Sequence, residues 1–217
     1  MAQGVTREIV EWLKCSADPA YFINEYCIID EPQGESVTLI PFKLWAEQFE
    51  FIWTLLVERR VVTLKARQLG ITWLCCAYAL WMCLFYSGRV VLAFSQGQHE
   101  ANEMIRRVKA MLDRLPDGLR GHIPYLTTDN EQELVWSNGS RMQSLPATES
   151  AGRSFTASLV LMDEVAFMRW ADQLYAAVSP TIDSGGQLIV FSTANGEGNL
   201  HHRLFTEAQK GLNGFRA

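Results

Sequence analysis

The sequence predicts an α/β fold: a mostly parallel central sheet flanked by helices, with one β-hairpin. Three observations carry this reading. Short apolar, β-branched runs recur, as in RVVTLK (60–65) and SLVLMDE (158–164). Such runs suit strands buried on both faces. Segments with helical spacing alternate with them, which implies crossover connections. The Asn138-Gly139 pair sits between alternating residues, as in a hairpin turn.

Element by element, residues 5–29 read as helical, with Ile9, Trp12, Leu13 and Phe22 as apolar positions. DEPQGES (30–36) reads as a turn or loop. PFKLWAEQFEFIWTLLVERR follows, with Pro41 as a first-turn residue and helical spacing through Leu44, Phe49, Ile52 and Leu56. The period then changes to a strand at 60–65, a loop at 66–70 and an apolar helix to about Tyr86. GRVVLAFS (88–95) is a second strand. An amphipathic helix runs from Gln98 to Leu115 and ends at Pro116 and Gly118. Residues 133–145 form the hairpin, with a type I′ turn expected at Asn138-Gly139. Strands at 158–164 and 186–193 follow, and a helix at 199–210 stops at Gly211. No repeat or linker divides the chain, so 1–217 is expected to be one domain. It comprises an N-terminal helical segment (1–58), a core (59–198) and a C-terminal helix (199–217).

Composition bounds the function. Of 217 residues, 48% are hydrophobic and 20% charged, which argues against wholesale disorder. A net charge of −5 argues against a stand-alone nucleic-acid-binding domain, although a local basic patch is compatible with it. Five cysteines without a C-x-x-C pair suggest reduced, buried thiols in a cytosolic compartment. The charged N-terminus does not read as a signal peptide. The most apolar run, Ile71–Tyr86, is shorter than the roughly 18 residues of a membrane span.

The chemistry is concentrated at three strand ends. LKARQLGIT (64–72) approaches the phosphate-binding pattern G-x-x-x-x-G-K-[ST]: Gly70 and Thr72 are in place, but Ile71 stands where lysine is usual and Lys65 where the first glycine is. Backbone N–H groups at such a turn and the following helix start cradle anions. Thr72 can bind Mg²⁺, and either Lys65 or Arg67 can supply the missing charge. The acids Asp163 and Glu164 end the strand LVLMD, one suited to a Mg²⁺ shell and the other to polarising water. Ser192, Thr193 and Asn195 follow the next strand, as turn formers or as sensors of a γ-phosphate. All three elements lie where open α/β sheets bind ligands.

Three stretches, KARQLGIT, NGSRMQSLPATESAGRSFTASLVLMDEVAF and FSTANGEG, together resemble the large terminase subunit of tailed bacteriophages, over roughly Pro41–Gly198. The resemblance implies a P-loop NTPase fold of ASCE type and an ATPase that drives double-stranded DNA into a procapsid. By position it places a deviant phosphate loop on Lys65, Ala66, Arg67, Gln68, Leu69, Gly70, Ile71 and Thr72. Lys65 would replace the lysine absent at Ile71. Asp163 becomes the metal-binding acid, with Thr72, and Glu164 the catalytic base. Ser192, Thr193 and Ala194 become the coupling motif, which Asn195 extends, and Gln48 a reader of adenine. ATP and Mg²⁺ are the implied cofactors. Implied partners are DNA, a portal protein, a small terminase subunit and further copies in a ring, in the host cytoplasm and away from any membrane. An arginine finger is expected from Arg153, across subunits, or from Arg67 within its own. Relatives carry a nuclease domain after the ATPase, for which the residues after 198 leave no room, so nuclease activity is not expected of this chain. Two other readings remain at this point: a helicase-like ATPase, and a nucleotide-gated module without turnover.

Overall fold

The computed structural model describes residues 6–34, 36–148 and 156–217. The chain begins with two helices, α1 (Arg7–Ala17) and α2 (Pro19–Tyr26). Asp18 separates them. Its carboxylate accepts from the N–H groups of Ala20 and Tyr21, and Pro19 supplies a first residue that needs no N–H partner. The expected single helical stretch over 5–29 is therefore two helices followed by a strand.

That strand, β1 (Ile28–Gln33), pairs antiparallel with β2 (Ser36–Pro41), from Ile28 opposite Pro41 to Gln33 opposite Ser36. The loop expected at 30–36 is instead the tip of this ribbon, and Gly34 supplies a φ of +61° there. Pro41 closes β2, so it is not a first-turn helix residue, and α3 (Ala46–Val57) begins after it.

The remaining elements are β3 (Arg60–Leu64), α4 (Ile71–Phe85), β4 (Val90–Ser95), α5 (Gln98–Asp113) and the one-turn α6 (Asp117–Arg120). Then come β5 (Leu126–Asp129), β6 (Glu133–Trp136), β7 (Arg141–Pro146), β8 (Leu159–Asp163), α7 (Ala171–Asp183), β9 (Gln187–Ser192) and α8 (Leu200–Gln209). Seven strands form one sheet in the order β3-β9-β8-β4-β7-β6-β5. The pairs from β3 to β7 are parallel, and β7-β6 and β6-β5 are antiparallel.

Alternation along each parallel strand builds two cores. Val61, Val91, Ala93, Leu159 and Leu161 face one, with α4 and the buried side of α5. Val62, Leu92, Phe94, Val160 and Met162 face the other, with Leu174 and Val178 of α7 and Leu200 and Leu204 of α8. Both faces are thus dry, as the apolar runs anticipate. Helix α4 is buried on several sides from Leu74 to Trp81, and all five cysteines are buried free thiols. No helix among the described residues is long and apolar enough to cross a membrane.

The β6–β7 hairpin is present, but its turn is not type I′. Only Gly139 has a positive φ, +81°, which matches a type I turn closed by a glycine bulge. Asn138 has other work: its amide donates to the carbonyls of Cys83 and Tyr86, and its Oδ1 accepts from the Ser140 N–H. The hairpin is thereby tied to the end of α4.

Candidate active site

The sheet order brings the three chemical elements together. β9 lies between β3 and β8, so the loop after β3 and the acids after β8 flank the residues that follow β9. Lys65 N–H donates to the Ser192 carbonyl at 3.0 Å, and this fixes the loop entrance beside β9.

Four side chains then converge. The Lys65 ammonium lies 2.9 Å from Asp163 Oδ1, 3.1 Å from Glu164 Oε1 and 3.0 Å from Thr72 Oγ1. The Thr72 hydroxyl is 3.1 Å from Asp163 Oδ2. Lys65 and Asp163 side chains are only 9% and 10% exposed, so their charges are fixed rather than solvated. The alternatives left by the sequence separate here: Lys65 points into the site, whereas Arg67 is exposed on the loop. Arg153 lies outside the described residues.

The loop itself turns sharply into α4. Gln68 and Gly70 both adopt positive φ, +64° and +69°, and α4 starts immediately afterwards. For Gln68 this is a sparsely populated conformation for a residue with a side chain. Glu164 shares it, at φ +53°. Such departures gather where surrounding bonds over-determine them. Here Glu164 Oε2 faces the Thr193 N–H at 3.0 Å, the Thr193 hydroxyl at 2.9 Å and the Ser192 hydroxyl at 3.3 Å. Asn195 donates to the Ala166 carbonyl at 2.9 Å, tying the turn after β9 to the segment after Glu164. Ala194 is exposed.

Electrostatics follow from this packing. Burial pushes Asp163 above the usual carboxylate range, against the pull of Lys65 and the Thr72 hydroxyl. Burial also opposes the charge of Glu164, but the Thr193 N–H and Lys65 outweigh it and hold its carboxyl below the ordinary value. Burial would lower Lys65, yet Asp163 and Glu164 keep it above its ordinary value. The site thus sets two carboxyl groups of opposite tendency around one ammonium.

The donor set also fits magnesium. Oxygens of Thr72, Asp163 and Glu164 already surround a positive group, the Lys65 ammonium. Among the described residues no three His, Cys, Asp or Glu side chains form a metal cage. One carboxylate and one hydroxyl, completed by water and phosphate oxygens, is the sparse set that magnesium takes.

Gln48 is buried, at 5% exposure, at the start of α3. Its Oε1 accepts from the Trp45 N–H at 3.1 Å, and its Nε2 donates to the Leu69 carbonyl at 3.0 Å. Two neighbours of the site have no signal in the sequence. Phe191 places its ring 5.1 Å from the Lys65 ammonium, and Ser95 Oγ lies 3.5 Å from the Asp163 carbonyl. Both belong to ordinary strand runs, and only the sheet order brings them here.

Known proteins share this fold. The chain resembles the large terminase of bacteriophage HK97 with a TM-score of 0.71 at 18% identity, covering 91% of this chain and 42% of that one. A mutant of the large terminase ATPase domain of Thermus phage P74-26 matches with a TM-score of 0.65 at 18% identity, over 76% of this chain and 70% of that one. The large terminase of a further, thermophilic bacteriophage matches with a TM-score of 0.60 at 13% identity, over 78% of this chain and 44% of that one. That thermophilic protein has also been solved with ADP and with ATP-γ-S. The chain thus spans less than half the length of the HK97 terminase and of the thermophilic one. A family described as terminase large subunit, T4likevirus-type, N-terminal, matches residues 62–212. With the fold shared and most of its length matched, the chain belongs to the terminase large subunit family, in its N-terminal part.

Proposed function

We propose that this chain is the ATPase motor domain of a viral DNA-packaging terminase, hydrolysing ATP to move double-stranded DNA into a procapsid. One observation carries the catalytic half: Lys65, Thr72, Asp163 and Glu164 meet at the carboxyl ends of β3 and β8, with Thr193 braced against the glutamate. The loop 65–72 receives the phosphates, with its N–H groups aimed at them and Lys65 neutralising their charge in place of the residue at Ile71. Thr72 and Asp163 would hold Mg²⁺, which supplies charge neutralisation at the phosphate oxygens when bound. Glu164 orients and deprotonates the attacking water. Its present bonds to Thr193 and Lys65 hold it as a carboxylate, the form a base requires.

Ser192, Thr193, Ala194 and Asn195 are assigned to coupling. Ser192 and Thr193 touch the Glu164 carboxylate and Asn195 the segment after it, so a change at Glu164 reaches the start of α8 through the Asn195–Asn199 link. The net charge of −5 fits a motor that gains its hold on DNA from several subunits together. The portal protein and the small terminase subunit are the partners assigned, in the cytoplasm of the host.

The direct test is phosphate release from ATP by the 217-residue chain, with Mg²⁺ and with excess EDTA. Mg²⁺-dependent turnover that disappears in Glu164→Gln supports the assignment. Nucleotide binding without any turnover, alone or with DNA, would instead identify a nucleotide-gated module.

A further inference from the structure

We propose that Lys65 closes the metal site to free divalent cations, and opens it only when a phosphate chain draws its ammonium away. The identity of its partners carries this. Lys65 Nζ lies 2.9 Å from Asp163 Oδ1, 3.0 Å from Thr72 Oγ1 and 3.1 Å from Glu164 Oε1. An ammonium has three N–H donors, and as many oxygens face it here. Two of those oxygens belong to Thr72 and Asp163, the residues assigned to magnesium. The second Asp163 oxygen is engaged as well, by the Thr72 hydroxyl at 3.1 Å. The Phe191 ring, 5.1 Å away, adds only its π face.

The lysine therefore stands in for the metal. A second cation on the same oxygens would be repelled at short range, and water screens little of that repulsion, since the Lys65 and Asp163 side chains are 9% and 10% exposed. Magnesium also gives up its own water reluctantly. Withdrawing the ammonium by itself is no easier, because it strands Asp163 and Glu164 without their shared partner. A polyphosphate resolves both difficulties. It offers the ammonium other oxygens to face, and its charge favours a metal beside it. Lys65 is suited to the exchange, with a flexible four-carbon stem rooted at the start of the loop 65–72. Metal and phosphate thus bind in mutual dependence, each strengthening the other.

The inference rests on the nucleotide-site reading above, and metal binding measured without nucleotide separates the two. Mn²⁺, a paramagnetic substitute for Mg²⁺, is titrated into wild type and Lys65→Met, and the free ion is followed by electron paramagnetic resonance. Lys65→Met should bind Mn²⁺ at least about tenfold more tightly than wild type, the effect of removing a competing charged hydrogen bond. Adding Asp163→Asn should abolish that gain. The variant Lys65→Met with Glu164→Gln loses one charge of each sign, so the net charge of its site is that of wild type. It too should bind Mn²⁺ more tightly, and it takes the place of Lys65→Met if the single variant does not fold. The melting temperature of wild type should be unmoved by Mg²⁺ alone. It should rise with Mg²⁺ and inorganic tripolyphosphate together, by more than with tripolyphosphate in EDTA. Wild type that binds Mn²⁺ as tightly as the lysine variants overturns the proposal and leaves the nucleotide reading intact. A charge-balanced variant no tighter than wild type, or tight binding that survives Asp163→Asn, does the same. Wild type that neither tripolyphosphate nor ATP stabilises in the presence of Mg²⁺ removes the nucleotide reading, and the exchange with it.

Discussion

Lys65 and Asp163 stand 98 residues apart in sequence and 2.9 Å apart in space. Both are nearly sealed from water, and Glu164 completes the group 3.1 Å from the same ammonium. Three charges this close are tolerated only because they compensate one another. Removing the cation should therefore be felt twice, in the unliganded protein and in its hold on phosphate. Lys65→Ala is expected to weaken ATP binding about tenfold or more, in keeping with loss of a charged hydrogen bond. Ile71→Ala, at the position where lysine is usual, should weaken it far less. Equal losses, measured by titration of both variants, would reduce Lys65 to a strand-end residue.

Glu164 is expected to be separable from binding. In Glu164→Gln the amide can still meet the Thr193 hydroxyl, but it cannot take a proton from water. Turnover should fall by about 10²–10⁴, the usual effect of losing a general base, with ATP affinity retained. Near-normal phosphate release from the variant would take Glu164 out of the catalytic role.

Much of this site is visible in the sequence, because the hydrophobic pattern changes period where the chemistry begins. A both-faces-buried strand, a polar turn and an apolar helix mark the loop before any contact is known. Asp163 and Glu164 are marked in the same way, as acids closing an apolar run. What the sequence does not choose is which cation enters the site. Lys65 and Arg67 look alike in one dimension, and only burial separates them. The ribbon of β1 and β2 is missed for a different reason. Ser36 to Leu39 do alternate, but the turn formers of DEPQGES mask the ribbon, and its apolar positions Val37 and Leu39 face solvent and not a core. Strand β5 has only four residues and leaves a weak pattern. Helix α7 could have been found: Leu174, Val178 and Ile182 repeat every fourth residue and all are buried, yet the sequence reading leaves this segment unassigned.

A second cluster, remote from the strand-end chemistry, makes a pH prediction. The Glu11 carboxylate in α1 accepts from Lys14 at 2.8 Å and from the hydroxyls of Tyr21 and Tyr26 at 2.7 and 2.8 Å. Lys14, then Tyr21 and Tyr26, hold its carboxyl down to about 2, from an ordinary 4.5. A depressed carboxylate stabilises the fold above its unfolded value and loses that contribution as pH falls through the folded one. The stabilisation should therefore be complete above about pH 5 and should fade from there to about pH 2. Glu11→Gln should melt below wild type at neutral pH, and the two melting temperatures should converge near about pH 2. A gap that is constant with pH would show that the charge of Glu11 contributes nothing.

The last prediction separates the two arginines. Arg153 precedes Asp163 in a Gly/Ser-rich segment, SAGRSFTAS, that leads into β8, whereas Arg67 is exposed on the loop after β3. An arginine facing the transferring phosphoryl group is worth about 10³–10⁵ in rate in other NTPases. If Arg153 acts on a neighbouring subunit, the isolated chain should be a poor ATPase when dilute, with specific activity rising with concentration. An arginine acting in its own subunit gives no such rise. Mixing makes the test sharper. Arg153→Ala subunits keep Glu164, and Glu164→Gln subunits keep Arg153. In a mixed assembly, some interfaces then pair an intact glutamate with an intact arginine. Activity should reappear on mixing, although each variant alone is nearly inactive. No recovery, under conditions where wild-type subunits demonstrably assemble, would leave Arg67 as the finger. Arg67→Ala should then abolish turnover at every protein concentration.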